Sequence, residues 1–401
     1  MLLEVEMPDL QFIKVNVPQP SHLYPLQPLL LGTAFTESFT SYVTRLAAIH
    51  QVPTGILLAQ ELAPKINRYK GPKPDSLSQL FFHIFFNLTG AWNGTGTMAL
   101  EPLLILQELT QQPTLKYLTL ISWKNVLPTR NLLRQYKAWC PLCYSEWSNN
   151  GIPLYEPLIW SISVVKICHI HDSSLMTYCP NCSKNIFFLA WNTRNGFCCR
   201  CHYWLGTACS ILESPFLNTQ DKQWHHFVAK QVGELIAKTP YLIEPPLPES
   251  VAKAIDKCIN IATNGNASAF AQQMYLSQTV PRDWRIGKAL PQINKLLRVC
   301  YRLSISLIDI YLDNVDFRNS IVLKDLPLCE QYFKTNRPFN VDKVREFLEQ
   351  HKESTPPQSL KQLAFKIGYD PADLYRHLPD LCRQISARYK LHNKSNFKPR
   401  V

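Results

Sequence analysis

Cys140-Pro-Leu-Cys143, Cys168-His169-Ile170-His171, Cys179-Pro-Asn-Cys182 and Cys198-Cys199-Arg200-Cys201 are four short knuckles packed between residues 140 and 201. A gap of two residues lets both donor atoms of a knuckle converge on one tetrahedral ion, and two knuckles complete the closed four-coordinate shell of a structural zinc. Chain order pairs the first knuckle with the second, with 24 residues between them, and the third with the fourth, with 15 between them. The predicted ligand sets are therefore Cys140, Cys143, Cys168 and His171 for one Zn²⁺, and Cys179, Cys182, Cys198 and Cys201 for a second. Two alternatives stay open at this level: His169 in place of His171, and Cys199, His202 or Cys209 as spare ligands. A catalytic metal is disfavoured, because hydrolytic zinc keeps an open position and the deaminase pattern requires His-x-Glu where this chain has His169-Ile170-His171. A redox pair is disfavoured too, since a thioredoxin-like site uses one Cys-x-x-Cys on a βαβ unit and not knuckles in series.

The composition around this stretch narrows the class. The chain has 401 residues, 46% of them hydrophobic, enough for several ordinary cores. Lys and Arg number 42 against 30 Asp and Glu, a net charge of +12 that suits an anionic polymer, with double-stranded DNA the first candidate. No run of 18 apolar residues is present, and Glu4, Glu6 and Asp9 stand where a secretion signal needs a basic start and an apolar centre, so neither a membrane span nor export is expected. Thirteen Cys in such a chain are read as metal ligands before disulfides. The scattered Cys258, Cys300, Cys329 and Cys382 are expected to be small buried apolar residues.

Working outward, the fold class expected is mainly α with small zinc-bound β elements, arranged as helix-turn-helix modules plus tandem zinc fingers. Residues 1–35 read as a Pro-rich arm. Thr36-Glu37-Ser38 caps a helix with apolar Phe39, Tyr42, Val43, Leu46, Ala47 and Ile49; Gln51-Val52-Pro53 breaks it, and Thr54 caps a second helix at Ile56-Leu57-Leu58. Five segments follow from these signals: 1–133, arm and helix-turn-helix; 134–210, tandem zinc fingers with β-like runs at Ile159–Val165 and Ile186–Trp191; 211–250, a helix and a stiff Pro-rich linker; 251–335, a second helix-turn-helix; and 336–401, a third with a basic tail.

The later segments carry the candidate DNA readers. Around residues 267–312 the succession of Phe270-Ala271, a turn at Leu276-Ser277, Thr279–Trp284 and a helix with Leu296, Leu297, Cys300 and Leu303 on one face is similar to phage-repressor helix-turn-helix domains, with Leu307 in the closing helix. Pro281 inside the recognition helix departs from that pattern. A further pair runs from Ser359, with Leu360, Leu363, Ala364 and Ile367 on one face, Gly368 ending the helix and Asp370-Pro371 opening the next. Arg282, Arg285, Lys288, Tyr375 and Arg376 are placed to reach DNA, while Arg383, Arg388 and Lys390 open a run of basic residues, continued by Lys394, Lys398 and Arg400, that suits phosphates.

Taken together, Glu37-Ser38-Phe39 to Leu46-Ala47, Ala138-Trp139-Cys140-Pro-Leu-Cys143-Tyr144, Leu158-Ile159-Trp160, Cys168-x-x-His171 with Leu175, Cys179-Pro-Asn-Cys182 and Gly196-Phe197-Cys198-x-x-Cys201 with Trp204-Leu205 resemble the TniQ/TnsD proteins of Tn7-like transposons over about half the chain. The resemblance implies a bacterial, cytoplasmic target-selection protein that marks an insertion site and brings in the AAA+ ATPase TnsC, which then engages the transposase. It also implies a recruiting surface on the arm and first helices, with Phe12 and Tyr24 as anchors. The linker and helix-turn-helix segments favour the branch that reads DNA directly over the branch that docks on a CRISPR guide-RNA effector complex. A zinc-containing transcription factor shares the charge but has no use for the N-terminal resemblance. No enzyme is expected: there is no phosphate-cradling Gly-x-x-x-x-Gly-Lys loop, no nucleophile elbow and no carboxylate cluster for strand chemistry.

Overall fold

Ser38 stops the chain in an extended conformation and accepts from the Ser41 N–H, so helix α1 (Phe39–Ile49) begins where the sequence places it. The computed structural model describes residues 20–66, 87–206, 219–316, 322–327, 330, 339–354, 357–367, 369 and 371–395. Phe12, Cys209, Cys329, Gly368, Asp370, Lys398 and Arg400 lie outside the described residues. The chain divides into two compact units, Met1–Phe333 and Lys334–Val401.

In the first unit α1 is followed by α2 (Thr54–Leu57), which runs on as a π-turn over Leu58–Leu62. Pro53, not Thr54, occupies the cap; Thr54 is already helical and its hydroxyl donates to Thr193 O at 2.9 Å. With α3 (Thr97–Thr110) these elements bury Phe39, Tyr42, Leu46, Leu58, Trp92, Leu106 and Leu118 in one apolar cluster, to which Leu189 is added from the cysteine-rich stretch. That approach is close. The Gly55 N–H donates to Trp191 O at 2.9 Å, and a Cβ on Gly55 would stand 2.4 Å from the Trp191 ring and 2.8 Å from its Cα.

The stretch from 134 to 206 is nearly free of regular structure. It holds α4 (Pro141–Asn149), an antiparallel pair of two-residue strands, β1 (Ile167–Cys168) and β2 (Ser173–Ser174), and isolated bridges at Trp139–Met176 and Phe197–Trp204. The two β-like runs of the sequence are not strands. Leu158–Ser161 is a 3-10 turn and Ile186–Trp191 is irregular; their apolar side chains are buried by packing against helices, which an alternation of residue types cannot distinguish from burial in a sheet.

Helix α5 (Thr219–Lys238) lies across β1 and the 3-10 turn and buries Trp224, Val228, Val232, Leu235 and Ile236. The proline-rich segment then turns at Thr239–Tyr241 and reaches α6 (Pro248–Thr263), whose Ile255 and Cys258 share a core with α5. The same core takes in α7 (Ala267–Gln273), α8 (Val280–Arg285), α9 (Ile293–Leu303) and α10 (Leu307–Tyr311). Pro281 sits in the first turn of α8, where N–H groups have no intrahelical acceptor, so its missing donor costs nothing there. Cys258 and Cys300 are fully buried.

A buried polar network joins α1 to the cysteine-rich stretch. Glu37 accepts from Ser41 Oγ at 2.9 Å and from Arg45 at 2.6 Å; burial pushes its carboxyl up to about 7 against the pull of Arg45. Ser41 Oγ in turn accepts from the Glu156 N–H and from Asn195 Nδ2, at 2.9 and 3.0 Å. The Glu156 carboxylate pairs with buried Lys137 and takes a hydrogen bond from Tyr144.

The second unit packs α11 (Val341–Lys352), α12 (Leu360–Ile367), α13 (Pro371–His377) and α14 (Pro379–Ser395) around Val344, Leu348, Leu363, Leu374, Cys382 and Ile385.

Two substitutions test this account of the first unit. Gly55→Ala should destabilise it by about 1–3 kcal/mol in denaturant unfolding, because the Trp191 backbone must move to admit a methyl group. Ser41→Ala, which strands the Glu156 N–H and removes a donor from buried Glu37 while Asn195 keeps the Leu154 carbonyl, should cost about 1–3 kcal/mol.

Candidate metal centres

Each knuckle is built by a local turn. Cys140 is the residue before α4, Pro141 opens the helix and Cys143 falls in its first turn, which places the two sulfurs on one face. The other three knuckles close in another way: Asp172, Ser183 and His202, each four residues after the first ligand of its knuckle, have φ of 51°, 53° and 58°. In two of them the closing N–H is part of the turn, Ser183 N–H to Cys179 O and His202 N–H to Cys198 O. Asp and His are among the residues that enter this left-handed region more readily than most. His202 is therefore accounted for by backbone geometry and stands outside the ligand group.

The structure brings the eight residues together as two groups of four, Cys140, Cys143, Cys168 and His171, and Cys179, Cys182, Cys198 and Cys201, with the donor atoms of each group within 4.8 Å of one another. In the first group His171 Nδ1 lies 3.5, 3.3 and 3.6 Å from the sulfurs of Cys140, Cys143 and Cys168, and Cys143 and Cys168 are 3.6 Å apart. In the second, Cys179 and Cys201 are 3.6 Å apart and Cys182 and Cys198 3.8 Å. A tetrahedron with metal–sulfur bonds of about 2.3 Å has edges of about 3.8 Å, so both groups fit a four-coordinate ion with no vacant position.

The thiols of the first group differ from one another. Hydrogen bonds from Cys143 and Cys168 lower Cys140 to about 2, while the contact with Cys140 drives Cys143 upward and holds Cys168 at about 12. A cation sharing the site would favour the ionised form of all three. In the second group burial raises Cys179 to about 12, whereas Cys201, despite burial, is held at about 6 by the Asn181 side chain and the Tyr203 N–H.

Between the sequence alternatives the geometry chooses His171. His169 packs against Phe35 with ring centroids 5.0 Å apart and the planes tilted by 44°, and takes no part in the cluster. Cys199 is half-buried, its thiol pushed up by burial, and lies outside both groups. Sequence reasoning missed Glu146, whose Oε1 is 2.8 Å from His171 Nε2, and Ser173, 3.6 Å from the Cys140 sulfur. The signal for Glu146 was its place three residues after Cys143, one helical turn along the same face.

The candidate DNA residues divide by their partners. Arg282 and Lys288 are exposed, Lys288 with Asp283 at 4.0 Å. Arg285 is tied to Asp256 at 2.6 Å and to Gly265 O. Arg376 and Arg383 form exposed pairs with Asp373 and Asp380, Tyr375 bonds Ser386, and Lys390 stands on α14. Arg388 reaches back to the carbonyls of Lys352 and Glu353. Tyr24 is 54% exposed. No helix among the described residues is long and apolar enough to cross a membrane.

Metal analysis of the unchelated full chain should find two equivalents. Cys179→Ser should lose one of them and most of the soluble yield, because a stretch with so little regular structure depends on closure of its ligands.

None of the curated proteins compared with the chain matches it significantly. Residues 28–175 match the TniQ family model, an interval that runs from the approach to α1 through α4 to the end of the first metal centre. Over residues 28–175 this protein carries a TniQ domain.

Proposed function

We propose that this protein is the DNA-binding target-site selector of a Tn7-like transposon: it recognises an attachment site and recruits the AAA+ regulator TnsC, and through it the transposase. Both metal centres hold structural Zn²⁺ in this reading, because three or four thiolates in a closed tetrahedral set favour zinc among abundant divalent ions. The protein supplies binding and leaves strand chemistry to its partners. The observation that carries the reading is a second helical unit, with a short α12–α13 turn and a basic α14, in the same chain as the TniQ domain.

On DNA, the exposed arginines are the useful ones. Pairs such as Arg376–Asp373 and Arg383–Asp380 are solvent-exposed and worth well under about 1 kcal/mol, so exchanging the carboxylate for a base edge or a phosphate costs little. Arg282 is exposed on α8 of the second helix-turn-helix segment and belongs with them, as does exposed Lys288. Arg285 and Arg388 are engaged within their own units and serve DNA only indirectly. Tyr24, with Phe12 on the arm, provides the apolar contact for TnsC.

Footprinting of the purified protein on attachment-site DNA without guide RNA tests the reading, and absence of protection would favour the guide-RNA adaptor. Arg376→Ala should lose about 1–3 kcal/mol on the cognate site and much less on random DNA, whereas Lys390→Ala should weaken both alike and reduce the salt slope by about one. Equal losses on both DNAs for every such substitution would defeat direct readout. Deleting residues 1–20 should weaken TnsC recruitment and leave DNA binding intact; loss of both would show unfolding and remove the assignment.

A further inference from the structure

We propose that Glu146 is the positioning residue of the first metal centre: it fixes the His171 ring with Nδ1 toward the three sulfurs and thereby sets how firmly that centre holds its ion. The inference rests on the reading of the cluster as a metal site. Glu146 Oε1 lies 2.8 Å from His171 Nε2, on the edge of the imidazole opposite Nδ1, and Nδ1 lies 3.3 to 3.6 Å from Cys140, Cys143 and Cys168. An imidazole that coordinates through one nitrogen carries its proton on the other, and a carboxylate accepting that N–H fixes the tautomer, stops the ring from turning over and makes the coordinating nitrogen a stronger donor.

The placement is built into α4. Cys143 and Glu146 are three residues apart, so one helical face presents a ligand and the group that orients another ligand arriving from the β1–β2 turn. This also accounts for the choice of His171 over His169 two residues earlier, whose ring is engaged with Phe35. The second centre is supported differently. It consists of four cysteines and has no imidazole for a carboxylate to orient, so it provides an internal control in the same molecule. The Glu146 side chain is 58% exposed, so its removal leaves no cavity.

The test is release of metal from the full chain, loaded with two equivalents of Zn²⁺, into excess chromogenic chelator. Glu146→Ala should speed release of one equivalent by about tenfold and leave the other at the wild-type rate. Glu146→Gln, whose amide oxygen still accepts from Nε2–H, should recover part of the loss. ¹⁵N correlation spectra of His171 should show Nδ1 metal-bound and Nε2 protonated in the wild type, with faster solvent exchange of the Nε2 proton in Glu146→Ala. Unchanged release of both equivalents, or coordination through Nε2, would overturn the assignment. A wild type that binds no metal would overturn the metal reading as well, a result separable from a failure of Glu146 alone.

Discussion

The tetrahedral closure of two four-residue ligand groups is the constraint on which the middle of this protein depends. From residue 134 to 206 the chain has one short α-helix and four strand residues, and its path is otherwise held by scattered backbone bonds such as Trp139 with Met176 and Leu205 with Gly196. An ion at each ligand group would add a cross-link between knuckles separated by 24 or 15 intervening residues. Trp139, Tyr144, Trp160 and Leu205 from this stretch share one apolar core with α5 and its neighbours. A domain of this kind would gain fold stability directly from bound ions.

The TniQ domain is bounded by this arrangement. Its N-terminal helices have a core of their own, yet they touch the cysteine-rich stretch through Leu189, through Gly55 against Trp191, and through the network of Glu37, Ser41, Glu156, Lys137 and Asn195. Buried ionic groups of this sort add little net stability, but removing one member strands the rest. They fix which face of α1 meets the metal-bearing stretch, while Tyr24, whose N–H donates to His50 at the end of α1, is exposed.

Helix starts were legible because their signals are local. Ser38 before α1 acts within one turn, and the helix begins where that signal stands, while at α2 the cap falls one residue earlier, on Pro53 in place of Thr54. The β-like runs failed for the complementary reason. Burial of alternate apolar residues reflects what lies against them, and here helices, not strands, supply the cover. The prolines between Thr239 and Pro248 suggest a stiff linker between segments, but α5 and α6 on either side share one core, a fact about packing that no local pattern carries.

The sequence by itself determined the ligand types, their pairing in two groups of four and the mainly helical class, because knuckle spacing and helix punctuation are short-range geometry. Tertiary structure alone decided that His171 and not His169 completes the first group, that His202 closes a turn, that Glu146 lies against the His171 ring, and that Arg285 and Arg388 are held by their own units while Arg282 and Arg376 face solvent. Each of those outcomes depends on a contact between segments far apart in the chain, and residue type at a position does not say which distant group will arrive beside it.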